Sequence, residues 1–283
     1  MIPKSGHRFP ACAKPLARLA MRPDASAVEG RSEEIMRQTK TRSQVAAFET
    51  ALFSPGSEPE LGDLRFRALL SEAEWNALPL AIRRRFSKRL AGGKTAIYVG
   101  EMLTNEMSRA GWLLAQAARL IGGPLPVVRD QRFPSVVTVT EDVATGGQHW
   151  TRLYARRNGF PQIVHSSKRF AGPTGLEEYV GYGVGMALTI HVEPAHVPEK
   201  WTPVFREGHA PTREEYALIF RAAHYFLQLG RLRLRLPDWL TPGALTVTHV
   251  ECGDGRFLFE LEITHPRLGR LIQQTAAFEE AHP

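Results

Sequence analysis

The spacing of apolar and polar positions changes once along the chain, near residue 122. Before it the apolar residues recur at helical intervals, and after it they alternate at period two. Asp63 is placed to cap LRFRALL, and Ser71 with Glu74 forms a capping box. Pro79 suits the first turn of LAIRRRFSKRL, which runs out at Gly92-Gly93. A short extended segment, TAIYVGEML, comes next. The spacing then predicts a helix from Ser108 to Ile121, with Trp112, Leu113, Ala117, Leu120 and Ile121 on its apolar side and Gly122-Gly123-Pro124 as its stop.

Past that helix, SVVTVTEDV, HWTRLYARR, FPQIVHSSKRF, LEEYVGYGVGMALTIHVE, YALIFRAAHYFLQL, GALTVTHVE, GRFLFELEITH and RLIQQTAAFEE are rich in β-branched and aromatic residues, and most are bounded by turn residues. Each reads as strand. Thr212 and Glu215 resemble a capping box, which leaves helix open for Arg213–Leu229, but the neighbouring strands favour strand from about Leu218. Asp254-Gly255 suits a two-residue hairpin turn that pairs Val250 with Phe259 and His249 with Glu260. In that register Phe257, Phe259, Leu261 and Ile263 face the core with Val250, while His249, Glu251, Glu260 and Glu262 face away. The expected fold class is α+β: one antiparallel sheet of about 7–9 strands, strongly curved or closed like a barrel, packed on a helix and preceded by an N-terminal helical segment.

Composition narrows the function classes. The 283 residues are 43% hydrophobic and 23% charged, ordinary globular usage, and no run approaches ~18 apolar residues, so no transmembrane segment is expected. PLARLAMRP is interrupted by arginine and makes a poor secretory signal. The linker SPGSEPELG separates a tail over residues 1–60, disordered or with one helix, from a single domain over 61–283. Cys12 and Cys252 form no CxxC pair, which fits a cytoplasmic location. The formal charge of +7 is spread thinly, and the cluster Arg83–Arg89 lies on a helical pattern as a solvated face, so no nucleic acid is expected as partner.

The common nucleotide loops, GxSxG and HExxH are absent, and neither a cofactor nor a metal site is predicted. Gly181, Gly183 and Gly185 lie inside a strand pattern, where glycine marks a bulge or a close approach. Arg231–Pro237 (RLRLRLP) reads as an edge strand protected by its charge. The chemistry concentrates between Gln148 and Gly181. Trp150, Arg152 and Tyr154 share one strand face, with His149, Thr151 and Leu153 on the other. Turned into the sheet's concavity, Arg152 needs a partner, since an isolated buried guanidinium is prohibitively costly, and Glu178 is the candidate. Two readings follow: a polar anchor in a ligand pocket, or an ion pair that fixes strand register.

His149-Trp150-Thr151-Arg152-Leu153-Tyr154, then Phe160 and Ser166, then Leu176-Glu177-Glu178-Tyr179-Val180-Gly181 resemble the bacterial family known as domain of unknown function 4166. Leu234-Arg235-Leu236-Pro237 with Trp239–Gly243, Gly255-Arg256-Phe257 with Phe259, and His265–Gly269 resemble its later turn and last hairpin, so the resemblance spans about Leu64 to Glu279. Tyr154 stands where that family usually has phenylalanine, and VPEKWTPVFREGHAPTREE is a long insert that suits a flap. The resemblance brings no established activity. Its relatives often follow a nicotinamide-nucleotide-binding domain, which implies a separate redox partner protein for this chain. The reading that results is a binding module whose cavity takes a hydrophobic or lipid-like small molecule, with Trp150, Arg152, Tyr154, Ser166, Phe170 and Glu178 as ligand-binding residues. The alternatives are an enzyme without cofactor, using His149 or His165 with a carboxylate as acid and base, and a purely structural or protein-interaction domain.

Overall fold

Eleven strands run between Thr95 and Glu280, each antiparallel to its neighbours: β1 (Thr95–Met107), β2 (Phe133–Asp142), β3 (Gly147–Tyr154), β4 (Gln162–Arg169), β5 (Leu176–Tyr179), β6 (Val184–Pro194), β7 (Tyr216–Leu229), β8 (Leu232–Arg235), β9 (Ala244–Glu251), β10 (Arg256–His265) and β11 (Gly269–Glu280). The computed structural model describes residues 62–127, 131–156, 159–195, 216–253 and 255–281. The order β6-β5-β4-β3-β2-β1-β11-β10-β9-β7 closes through pairing of β7 with β6, so ten strands form a barrel and β8 is added on β7. The sheet is therefore closed, with more strands and less helix than the expected α+β arrangement. Two segments explain the difference. LEEYVGYGVGMALTIHVE is two strands separated by a turn at Val180–Gly183, and RLRLRLP contributes the extra strand. Among the described residues the helices are short and pack at the ends of the barrel, and the sheet encloses none of them. Register shifts at Leu103 of β1, between Met102 and Thr104, and at Ala223 of β7, opposite Ala187 and Leu188, supply local bends of the kind that let a sheet curl.

Because the strands alternate in direction, the connections after β1, β3, β5, β7 and β10 emerge at one end of the barrel, here the upper end. The lower end is closed by α1 (Glu72–Ala77) and α2 (Leu80–Phe86). The expected capping box is present: Glu74 N–H donates to Ser71 Oγ, and Ser71 N–H to the Glu74 carboxylate at 2.8 Å. Trp75, Leu78, Ile82 and Phe86 bury one face of this pair against Phe66 and the barrel's lower core, with Phe86 set against Phe220 at 5.7 Å between centroids. α2 also sends Arg85 inward, where it pairs with Glu251 at 3.0 Å over the Phe257 ring.

The helix α3 (Arg109–Ala118) lies at the upper end, capped by Ser108. The expected face is not the one it buries. Gly111, Ala115 and Ala118 are buried, whereas Trp112, Leu113 and Leu120 are exposed. Close approach decides this. A Cβ on Gly111 would stand 1.9 Å from the Leu271 carbonyl oxygen, so the stripe of small residues docks with Leu114 beside it, and Trp112, Leu113 and Leu120 are left outside.

The β9–β10 hairpin is corrected by one residue. His249 pairs with Phe259 and Val250 with Leu258, in keeping with the bonds from Cys252 N–H to the Arg256 carbonyl and from Arg256 N–H to the Gly253 carbonyl, which a two-residue turn at 254–255 would not make. A slip of one position exchanges the faces of a strand. His249 and Glu251 therefore point into the barrel with Phe257 and Phe259, and Val250 joins Leu103, Ile219 and Leu258 in a separate cluster. YALIFRAAHYFLQL is strand, as favoured. The tail and the 197–215 insert lie outside the described residues.

One joint of the barrel differs from the rest. β7 pairs with β9 over Leu218–Arg221 and then leaves it, taking β8 over Phe226–Leu229. The segment from Leu236 to Pro242 crosses the gap and contributes Leu236, Leu240 and Pro242 to the interior wall.

Candidate functional site

The interior holds a cavity of about 240 Å³, running from Phe86 and His249 to Leu240, Pro242 and Ile121 at the upper end. Its wall is largely aliphatic, with Val164, Met186, Leu188, Val247 and Leu261 among the lining side chains. Strand alternation explains the placement, since every second residue of β3 to β6 faces inward.

A charged cluster sits on the wall formed by β3, β4 and β5. Lys168 Nζ lies 2.6 Å from Glu178 Oε2, and Ser166 Oγ donates to Glu178 Oε1 at 2.6 Å. Arg152 donates to Ser166 Oγ at 3.3 Å and stands 3.9 Å from the same carboxylate. Lys168 and Glu178 are directly opposite in the β4–β5 ladder, which explains their short contact. Trp150 donates to Gln148 Oε1 and lies beneath both cations, with its ring 5.3 Å from Lys168 and 6.0 Å from Arg152. Burial alone pushes the Glu178 carboxyl up, but Lys168, Arg152 and the Ser166 hydroxyl together hold it below the ordinary carboxylate value. Burial lowers Lys168, and Glu178 opposes that shift. Tyr154 is buried, and its phenol is pushed up for that reason.

On the opposite wall His249 sits among Phe86, Phe220 and Phe259. Burial, followed by the cations Arg85, Lys168 and Arg152, drives its protonation well below the ordinary value, so the ring is neutral. Three buried polar atoms of residues on the cavity wall, Tyr225 Oη, His249 Nδ1 and Gln274 Nε2, have no hydrogen-bond partner among the described residues. No group of three or more His, Cys, Asp or Glu side chains placed to hold a metal occurs among the described residues.

Of the residues singled out from sequence, Trp150, Arg152, Tyr154, Ser166 and Glu178 line this one cavity. Phe170 does not. It follows the last residue of β4 and packs edge-on against Phe66 at 4.9 Å, beneath Arg65, in the lower core. His149 and His165 are exposed on the outer face of the barrel, so neither reaches the interior carboxylate. Lys168 and His249 were missed. Lys168 is two positions from Ser166, so alternation alone places it inside, whereas His249 was hidden by the one-residue slip. Gly181 lies in the β5–β6 turn and not inside a strand, but the close approach expected of it is present, for a Cβ there would meet the Ile121 carbonyl oxygen at 2.1 Å.

A closed antiparallel barrel with an apolar interior and a few convergent polar groups is the architecture of small barrels that enclose a single molecule. The family model described as Domain of unknown function (DUF4166) matches residues 78–198 and 206–278, and the chain belongs to that family. No curated protein and no solved structure matches it.

Proposed function

We propose that the barrel binds a hydrophobic small molecule carrying an anionic head, with Arg152 as the head's main partner. The observation that carries this reading is the charge on an otherwise apolar wall: two cations, Arg152 and Lys168, face one carboxylate, Glu178. Lys168 holds that carboxylate at 2.6 Å, and Arg152 is left with a contact of 3.9 Å. A ligand carboxylate completes the pairing at a site where an unpaired buried charge is costly. The unpartnered atoms of Tyr225, His249 and Gln274 support a guest with some polar character. A cavity of roughly 150 Å³ accommodates benzene, so this one suits a guest of about ten heavy atoms, with longer chains extending toward Leu240.

Isothermal titration of delipidated protein with decanoate, decanol and decylamine tests the reading. Decanoate is expected to bind best and decylamine not at all, and Arg152→Ala is expected to weaken decanoate about tenfold or more, the loss typical of a charged hydrogen bond. Absence of decanoate binding, or undiminished binding by Arg152→Ala, overturns it.

A further inference from the structure

Exposed large apolar side chains are more numerous at the upper end of the barrel, although Leu64, Leu80 and Val143 are exposed at the lower end. Leu120 after α3 is 86% exposed, Phe160 in the β3–β4 loop 91%, Tyr182 in the β5–β6 turn 80% and Trp239 before β9 78%. Leu268, in the β10–β11 turn, and the outward face of α3, with Trp112 and Leu113, add to them. Strand direction places the β1–β2, β3–β4, β5–β6 and β10–β11 connections at the upper end, and the crossing that carries Trp239 leads into the upper start of β9. Two contacts tie parts of this surface together. Tyr182 N–H donates to the Ile121 carbonyl at 2.7 Å, and Gly243 abuts Thr264 and His265 at the head of the last hairpin.

The same end is basic. Arg109, Arg119, Arg156, Arg231, Arg267 and Arg270 are exposed there. Acidic residues toward the same end include Glu106, which pairs with Arg270, Glu262, level with Glu106 across β11, Glu101, which pairs with Arg132, and Asp238. The cavity also opens here, since Leu240 lines it while being 57% exposed. Apolar and aromatic tips on separate loops, ringed by arginine, around the mouth of an apolar cavity make a surface suited to the boundary of a bilayer. Aromatic rings settle at headgroup depth, leucines reach the acyl boundary, and arginines meet anionic phosphates. A folded protein partner of acidic surface fits less well, because such interfaces centre on one continuous packed patch, whereas these tips stand on separate loops.

We infer that the upper end of the barrel docks on an anionic lipid surface, with Leu120, Tyr182, Trp239 and Leu268 entering the interface around the cavity mouth. The docking stands independently of what the cavity holds. Co-sedimentation with vesicles of phosphatidylcholine and phosphatidylglycerol (three to one) tests it, beside vesicles of phosphatidylcholine alone. The wild-type protein is expected to partition onto the anionic vesicles at least tenfold better. Arg119→Glu is expected to weaken that binding about fivefold or more, the share of one surface cation. The double variant Leu120→Asp/Trp239→Asp is expected to lose at least tenfold, while Val143→Asp, equally exposed at the lower end, binds like wild type. Decanoate titration and thermal unfolding of the double variant verify that its fold is kept. Failure of wild type to bind anionic vesicles overturns the inference, as does equal binding by the folded double variant. So does sedimentation velocity showing self-association through this face, abolished by the double variant, in place of lipid binding. A failure of decanoate binding alone leaves vesicle binding intact and bears on the cavity instead.

Discussion

Lys168 and His249 show how much a single buried side chain can control. Lys168 is buried and held by Glu178, so Lys168→Met leaves a carboxylate in the interior with the Ser166 hydroxyl and the longer Arg152 contact but no close cation. Breaking one side of a buried pair costs about 3–5 kcal/mol, whereas replacing both partners with apolar residues of similar volume is close to neutral. Urea denaturation is expected to show that loss for Lys168→Met and recovery of most of it in the triple variant Arg152→Met/Lys168→Met/Glu178→Leu, which leaves no unpaired charge. A triple variant as unstable as the single would mean that the cation matters through packing alone. His249 gives the pH dependence. Its folded value lies well below 6.5, so the unfolded chain binds a proton that the native barrel refuses. Stability from this group is complete above 6.5 and falls as the pH drops beneath it, by up to about 1.4 kcal/mol per pH unit. Unfolding measured between pH 7 and 5 is expected to show that slope in wild type and to lose most of it in His249→Phe. Arg85, Lys168 and Arg152 face the ring, and their positive charge adds to burial in keeping the proton off it.

At the scale of elements, the strands were the most legible part of the sequence. Period-two runs such as SVVTVTEDV and GRFLFELEITH have no helical reading, and alternation alone brought Trp150, Arg152, Tyr154, Ser166 and Glu178 to one side. What failed were features set by backbone approach rather than by pattern. The α3 helix carries its larger apolar residues on one flank, yet Gly111, Ala115 and Ala118 form the docked face because they let the helix reach the β10–β11 turn region. Gly111→Ala places a methyl against the Leu271 carbonyl and is expected to destabilise the fold by about 1–3 kcal/mol, as overpacking does. Ala117→Gly, at an exposed position of the same helix, should cost only the propensity difference of about 1 kcal/mol. Calorimetry that ranked the two the other way would contradict this docking. The hairpin slip has a similar origin, for Asp254-Gly255 is a good two-residue turn, and only the bonds between Cys252, Gly253 and Arg256 reveal the different register.

At the scale of the whole molecule, the sheet closes with one uneven joint. β6 and β7 pair from Val184 to Pro194, whereas β7 and β9 share only Leu218–Arg221 before they separate around the Leu236–Pro242 crossing. Local opening follows the regions with the fewest backbone bonds and the least buried surface. The Leu236–Pro242 crossing is therefore the expected place for local opening of the wall, ahead of the ladders on either side. Under the proposed binding function, a guest would exchange at the rate of that local motion, which would uncouple how quickly the molecule loads from how stable it is.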